Sequence, residues 1–360
     1  MNSSERSEVG VDTQFHLTDT FASRVLAYAR QNATGKTNAA FGPATLRIET
    51  CGMVLSSIAL DPLRHAAATP IAPVDFQLVM IDGKETGIDG PALDGLVPVH
   101  NGRKHRIKID SRRSALTVNE EWNTHCLIDA DKRHAIVWLA DAAKIPEWVI
   151  CDQIRDALHW LSYERNFGLF HAAALRLGAV GCLIAGKGGS GKSTTTAAAI
   201  AHGFDTAGDD IVLVETTTVP RVHAVFDTVK LDDKSLARFS QFGPFVRNPR
   251  RAADDKAIVH LFDSNRDRIV SGFPLHVILH ARLTGEQQSR IVRSPPSDVF
   301  RALAPSSMFL LRAQGNAQGK QVAANCAMLV GRLGTYAFEI GTDIEAAVAE
   351  LTGFMLGLKQ

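Results

Sequence analysis

The run Gly186-Lys187-Gly188-Gly189-Ser190-Gly191-Lys192-Ser193 holds the most legible chemistry in this sequence. It satisfies G-x-x-x-x-G-K-[ST] in full, the pattern of a loop that wraps a polyphosphate. Glycines let such a loop bend where side chains would clash, so that successive N–H groups face the anion. A helix after the loop adds free N–H groups and a partial positive charge. In this pattern Lys192 reaches the β- and γ-phosphates, Ser193 offers a hydroxyl to Mg²⁺, and Thr194 is placed to contact another phosphate oxygen. A chance glycine-rich turn is the plainer alternative, and the complete motif between an apolar strand (Cys182 to Ala185) and a helical pattern argues against it.

Asp209 and Asp210 follow Lys192 by 17 and 18 residues. The helix from Ser193 ends near His202-Gly203, and the return through FDTAGDD is long enough to set both acids beside the loop. Paired carboxylates there can hold Mg²⁺ through water and accept a proton from an attacking hydroxyl. Gly-Asp-Asp is also a good turn composition. His171 stands 21 residues before Lys192 in the strand-like LFHAAAL. A hairpin of 170–177 and 181–185 would bring His171 to the sheet edge that carries the phosphate loop. There it could stabilise transferred charge or partner a catalytic acid; alone, it reads equally as a satisfied strand-end histidine.

These residues need a scaffold. Residues 40 to 140 alternate in short stretches punctuated by Gly, Pro and Asp. Leu46–Thr50, Phe76–Ile81, Arg106–Asp110, Ser114–Asn119, His125–Asp129 and Ala135–Leu139 are predicted strands, with a helix over Phe21–Gln31. From Pro146 the period becomes helical through Trp148, Ile150, Ile154, Ala157, Leu158, Leu161 and Phe167, with a stop at Gly168. LFHAAALRL, GCLIAG, DIVLVE, Val222–Lys230 and Leu275–Arg282 then read as strands, and Ser294–Leu303 and Thr342–Leu358 as containing helices. Strand–loop–helix alternation predicts an α/β second half. The expected fold is thus α/β (α+β overall). A β-rich N-terminal domain, 1–145, precedes a P-loop catalytic domain, 146–360. The N-terminal domain holds no assignable chemistry and is expected to recognise or dock substrate.

Composition narrows the class. The 360 residues suit two domains of about 150 each. Lys plus Arg is 39 and Asp plus Glu is 38, a balance that predicts neither nucleic acid nor membrane as partner. The five cysteines are scattered with no C-x-x-C pair, as expected of reduced cysteines in a cytoplasmic protein. The first dozen residues lack signal-peptide texture and are expected to fray, and no run nears the ~20 apolar residues of a membrane span. Trp138, Trp148 and Trp160 are expected in the core. Arg103-Lys104-His105-Arg106 reads as a charged turn. Arg247, Arg250 and Arg251, in a loop before Asp254-Asp255-Lys256, read either as a solvated loop or as a clamp on phosphate.

The run HAAALRLGAVGCLIAGKGGSGKSTTTAAAIAHGFDTAGDDIVLV resembles the catalytic core of the HPr kinase/phosphorylase family, and more closely its HPr-kinase-like serine kinases. It shares a histidine opening a strand, a turn, the phosphate loop, a helix ending in Gly, and an Asp-Asp pair before a strand. The resemblance implies a serine kinase using ATP, or another nucleoside triphosphate, and Mg²⁺. It implies a fold akin to phosphoenolpyruvate carboxykinase, and a protein or peptide substrate carrying the acceptor serine. It sets His171 at the active site, gives the general base to Asp209 and associates Asp210 with the metal, two roles the aspartates could exchange. Relatives are often hexameric, which allows a homo-oligomer. The family's R-G-L-G-I-like stretch, which supplies a Glu and an Arg, is missing after Asp210. Asp227 and Lys230 in VHAVFDTVKL are candidate substitutes, and the missing stretch weighs against phosphorylation of HPr itself and most of all against the reverse phosphorylase reaction, which the sequence leaves open.

Other functions compete. Lys187-Gly188-Gly189 with Lys192-Ser193 also fits K-G-G-x-x-K-[ST], which resembles the dimeric partition and septum-site ATPases, where the early lysine reaches across a dimer. Their loop lies near the N-terminus and their acids end a strand, whereas here the loop starts at 186 and the acids precede the strand. A small-molecule kinase and a nucleotide-sensing adaptor complete the alternatives.

Overall fold

The computed structural model describes residues 12–67, 73–95, 97–98, 105–111, 114–162, 165–252, 255–309 and 316–358. Residues 1–11, Arg103, Lys104 and Asp254 lie outside them. The first half runs α1 (Asp12–Asn32), β1 (Gly35–Phe41), β2 (Ala44–Cys51), α2 (Met53–Leu60), β3 (Phe76–Asp82), α3 (Gly83–Thr86), β4 (Val97–Pro98), β5 (His105–Ser111), β6 (Ser114–Asn119), β7 (Thr124–Asp129) and β8 (His134–Leu139). Its strands form one sheet in the order β1-β2-β3-β8-β7-β6-β5-β4, parallel at β2/β3 and β3/β8 and antiparallel elsewhere. The central strand FQLVMID is almost wholly buried, as a strand covered on both faces must be. Phe21, Val25 and Ala29 of α1 cover Val79, Ile81 and Ile136 on one face. Leu55 and Ala59 of α2 pack with Leu46, Ile48, Leu78 and Val137 on the other.

The second half begins with α4 (Glu147–Ser162), β9 (Phe167–Phe170), β10 (Ala172–Leu177), β11 (Val180–Ala185), α5 (Lys192–Ala201), β12 (Asp205–Gly208), β13 (Val212–Glu215), β14 (Arg221–Ala224) and β15 (Thr228–Leu231). It continues with α6 (Asp233–Arg238), β16 (Ala257–His260), α7 (Leu261–Ser264), β17 (Gly272–Pro274), β18 (Val277–Leu283), β19 (Arg290–Arg293), α8 (Pro296–Phe309), α9 (Asn316–Arg332), β20 (Gly334–Ile340) and α10 (Ile344–Gly357). A six-stranded sheet runs β12-β10-β11-β18-β20-β19, with β11, β18 and β20 mutually parallel. The sheet β17-β14-β13-β9 and the pair β15-β16 stand beside it. The fold is therefore mixed α/β, with a β-rich half before the phosphate loop. Among the described residues no helix is long and apolar enough to cross a membrane.

Three expectations need correction. LFHAAALRL is two strands: β9 pairs with β13, β10 with β11, and the His171 amide between them donates to Ser307 Oγ instead of to a ladder. Val222–Lys230 is likewise broken. The Asp227 amide donates to the Pro62 carbonyl and its own carbonyl accepts from Leu261, which takes the backbone out of the β14 sheet before β15 begins. Phe167, counted with the helical pattern, opens β9 instead.

Candidate active site

Ala172 pairs with Ala185, so the start of β10 and the end of β11 share one sheet edge. The phosphate loop leaves β11 there and enters α5 through Gly191 at φ +93°, a backbone that L side chains rarely adopt. Gly189, at φ +77°, turns the loop, and a side chain there or at Gly188 would project into open space over it. No side chain caps α5, so its first N–H groups remain available to an anion. Lys192 Nζ donates to the Gly186 carbonyl at 2.6 Å and the Lys187 carbonyl at 3.3 Å. Burial pulls this ammonium below its ordinary pKa, against the charges of Asp209 and Asp210. Thr194 Oγ1 and Ser235 Oγ lie 2.9 Å apart, which seats α6 against the first turn of α5. Lys187 is exposed at the loop tip.

The two aspartates occupy different environments. Asp209 is 1% exposed. Its Oδ2 accepts from the Lys230 amide at 3.2 Å, and its Oδ1 is buried with no hydrogen-bond partner. Burial pushes this carboxyl up and the Asp210 charge adds to the rise, with the Ser193 hydroxyl and the Lys230 amide opposing. Asp210 opens onto the cavity. His171 Nε2 stands 2.9 Å from its Oδ1, and Lys230 Nζ donates to its Oδ2 at 2.8 Å. Burial would raise this carboxyl, but the Lys230 ammonium and the His171 ring outweigh it and hold it well below the usual carboxylate range. Lys230 is raised in turn: burial lowers it, and Asp210 prevails.

One cavity of about 490 Å³ joins these groups. His171, Gly188 to Thr194, Asp210 and Lys230 line it, with Lys234, Arg238 and Lys256 on a cationic rim. The structure thus brings together His171, the phosphate loop, both aspartates and Lys230. It does not bring Asp227, whose carboxylate accepts from the Phe262 amide beside His260. Nor does the basic loop reach in: Arg247 pairs with Asp61 and Arg251 with Asp233. Trp138 and Trp160 are buried in the core, and Trp148 is partly buried against it.

No family model matches this chain, and no curated protein matches it. Among solved structures, the Hpr(Ser) kinase/phosphatase from Coxiella burnetii is similar at 10% identity and a TM-score of 0.30, over 53% of this chain and 99% of that one. A likeness at that level says nothing about chemistry, which rests on the site's own geometry.

The residues fit a magnesium-bound triphosphate. The buried Asp209 Oδ1, with only the Ser193 hydroxyl near it, has room for a further partner, and the uncapped helix start and open glycine loop suit phosphate oxygens. Among the described residues no group of three or more His, Cys, Asp or Glu could hold a metal by itself. Magnesium characteristically completes such a partial shell with water and phosphate oxygens. Sequence reasoning missed Lys234, Arg238 and Lys256, because lone cations in a charged stretch look like any solvated surface. It missed Ser307 because its contact with His171 spans 136 residues.

Proposed function

We propose that this protein is an ATP-dependent kinase that transfers the γ-phosphoryl group to a hydroxyl, a serine on a protein or peptide. The observation that carries the reading is the Asp210 carboxylate, held between His171 and Lys230 and facing the same cavity as the loop amides and Lys192. The loop amides and Lys192 bind the triphosphate and stabilise charge moving onto the β-phosphate. Ser193 and Asp209 are the groups that would hold Mg²⁺, which supplies charge neutralisation between the phosphates. A base must reach the acceptor hydroxyl, and Asp210 lines the cavity whereas Asp209 is closed off beneath Ser193. We therefore place the proton on Asp210, and the metal with Asp209, the exchanged order of the two roles. His171 orients Asp210 and Lys230 keeps it ionised. The N-terminal domain, 1–145, is proposed to recognise an acceptor in the cytoplasm, with neither nucleic acid nor membrane involved.

The test is incubation with γ-labelled ATP and extract of the native cell. A labelled protein band that disappears with Asp210→Asn is expected. A labelled small molecule would move the acceptor class, and release of free phosphate alone would leave a switch ATPase.

A further inference from the structure

The cavity has two chemically different ends. His171, Asp210 and Lys230 occupy one. At the other, Leu283 closes β18 and Ile340 closes β20, and both strands run parallel to β11, so their carboxyl ends meet at the edge that carries the phosphate loop. That edge is where open α/β sheets bind ligands. Leu283 is 59% exposed, an unusual exposure for a leucine that lines a cavity, and Ile340 and Ile344 are buried beside it. A Cβ at Gly191 would lie 3.1 Å from both Leu283 and Ile340, so the apolar surface begins directly against the start of α5.

The surface is also built to hold its shape. The Thr342 amide donates to the Glu286 carbonyl at 2.8 Å, Thr284 to Ile340 at 3.0 Å, and Gly341 to Ser289 Oγ at 2.9 Å. A Cβ at Gly341 would meet the Gln287 carbonyl at 2.5 Å, so only glycine lets the two loops close this tightly. Asp343 spends its carboxylate on the Glu345 and Ala346 amides, capping α10.

We infer that Leu283, Ile340 and Ile344, framed by Gly285 and Gly341, form the shelf for the purine ring of the nucleotide. This rests on the kinase reading above and extends it to base selection. An apolar shelf grips a flat ring by its face. Among the described residues the cavity's carboxylates are Asp210, engaged by His171 and Lys230, and Asp232, which accepts from the Ser235 amide; the shelf residues themselves carry none to accept from the N1–H and exocyclic amine of guanine, so ATP is bound at least as tightly as GTP.

Titration calorimetry with Mg²⁺ separates the shelf from the phosphate site, with ATP and inorganic tripolyphosphate as probes. ATP is expected to bind more tightly than tripolyphosphate. Leu283→Asn, a neutral change at an exposed position, is expected to remove that advantage by about tenfold while leaving tripolyphosphate within about twofold. Leu283→Trp adds an optical readout: ATP should quench the indole and tripolyphosphate should not. An ATP advantage that survives Leu283→Asn, or none in the native protein, overturns the shelf and leaves phosphoryl transfer standing. Failure of both probes to bind the native protein overturns the kinase reading and the shelf with it.

Discussion

Asp209 and Asp210 are adjacent in sequence, yet their partners give them opposite character. The Asp210 carboxyl is held down by Lys230 and His171 against its burial. The Asp209 carboxyl is held up, chiefly by burial. A carboxyl raised in the folded state stabilises the fold where it is protonated, and that stability is lost as pH rises through its folded pKa. Wherever Asp209 is ionised in the folded protein, its buried charge is therefore a cost to the fold. Asp209→Asn should raise Tm by about 1 °C at neutral pH, the effect of ~1 kcal/mol on a chain of this length. The gain should shrink on acidification, as the native side chain itself becomes neutral. Thermal unfolding across pH checks this; a gain that grows toward low pH would contradict it. The phosphate loop, the acid pair and His171 were legible because their spacing is local. The Lys230 partnership was only half legible: the residue stood out, but its grip on both acids depends on β15 lying against the turn between β12 and β13, which no spacing encodes.

Among the elements, α4 shows how far periodicity reaches. Its apolar positions predicted the helix, and Ile150, Ile154, Ala157 and Leu158 do pack into the N-terminal core. Its polar face is buried too: Arg155 donates to Asp152 and Asp156, all three under 9% exposed. Amphipathic reasoning assigns such a face to solvent, so this network was hidden from the sequence. Removing one partner of a buried ion cluster leaves uncompensated charge, at about 3–5 kcal/mol. Arg155→Met should destabilise by that amount in chemical denaturation, and replacing Asp152 and Asp156 by leucine in the same chain should restore much of it. A loss below ~1 kcal/mol for Arg155→Met would show that the cluster is solvated. The split of LFHAAALRL has a comparable cause: one apolar run serves two sheets, and the bend at His171 that separates them also aims it at Asp210.

Across the whole molecule the two halves share a core. Ile211 and Leu213, next to the acid pair, and Phe226 pack in one cluster with Leu46, Leu78 and Val137 of the N-terminal sheet. Arg64 with Asp263 at 2.7 Å and Arg247 with Asp61 tie the halves at the surface of that core. The change of texture near Pro146 was legible, and this shared burial was not, because its contacts join residues far apart in the chain. The supported acids, the phosphate loop and the cavity shared by Lys192 and Asp210 define the central claim, that a magnesium-bound triphosphate binds at 186–193 with its outer phosphate toward Asp210. Calorimetry with Mg²⁺ and ATP on the native protein, Lys192→Ala and Asp210→Asn tests it most directly. Association with the native protein is expected, with loss of at least about tenfold affinity for Lys192→Ala, and with binding retained by Asp210→Asn although transfer is abolished. No association with the native protein, or equal affinity after Lys192→Ala, would contradict it.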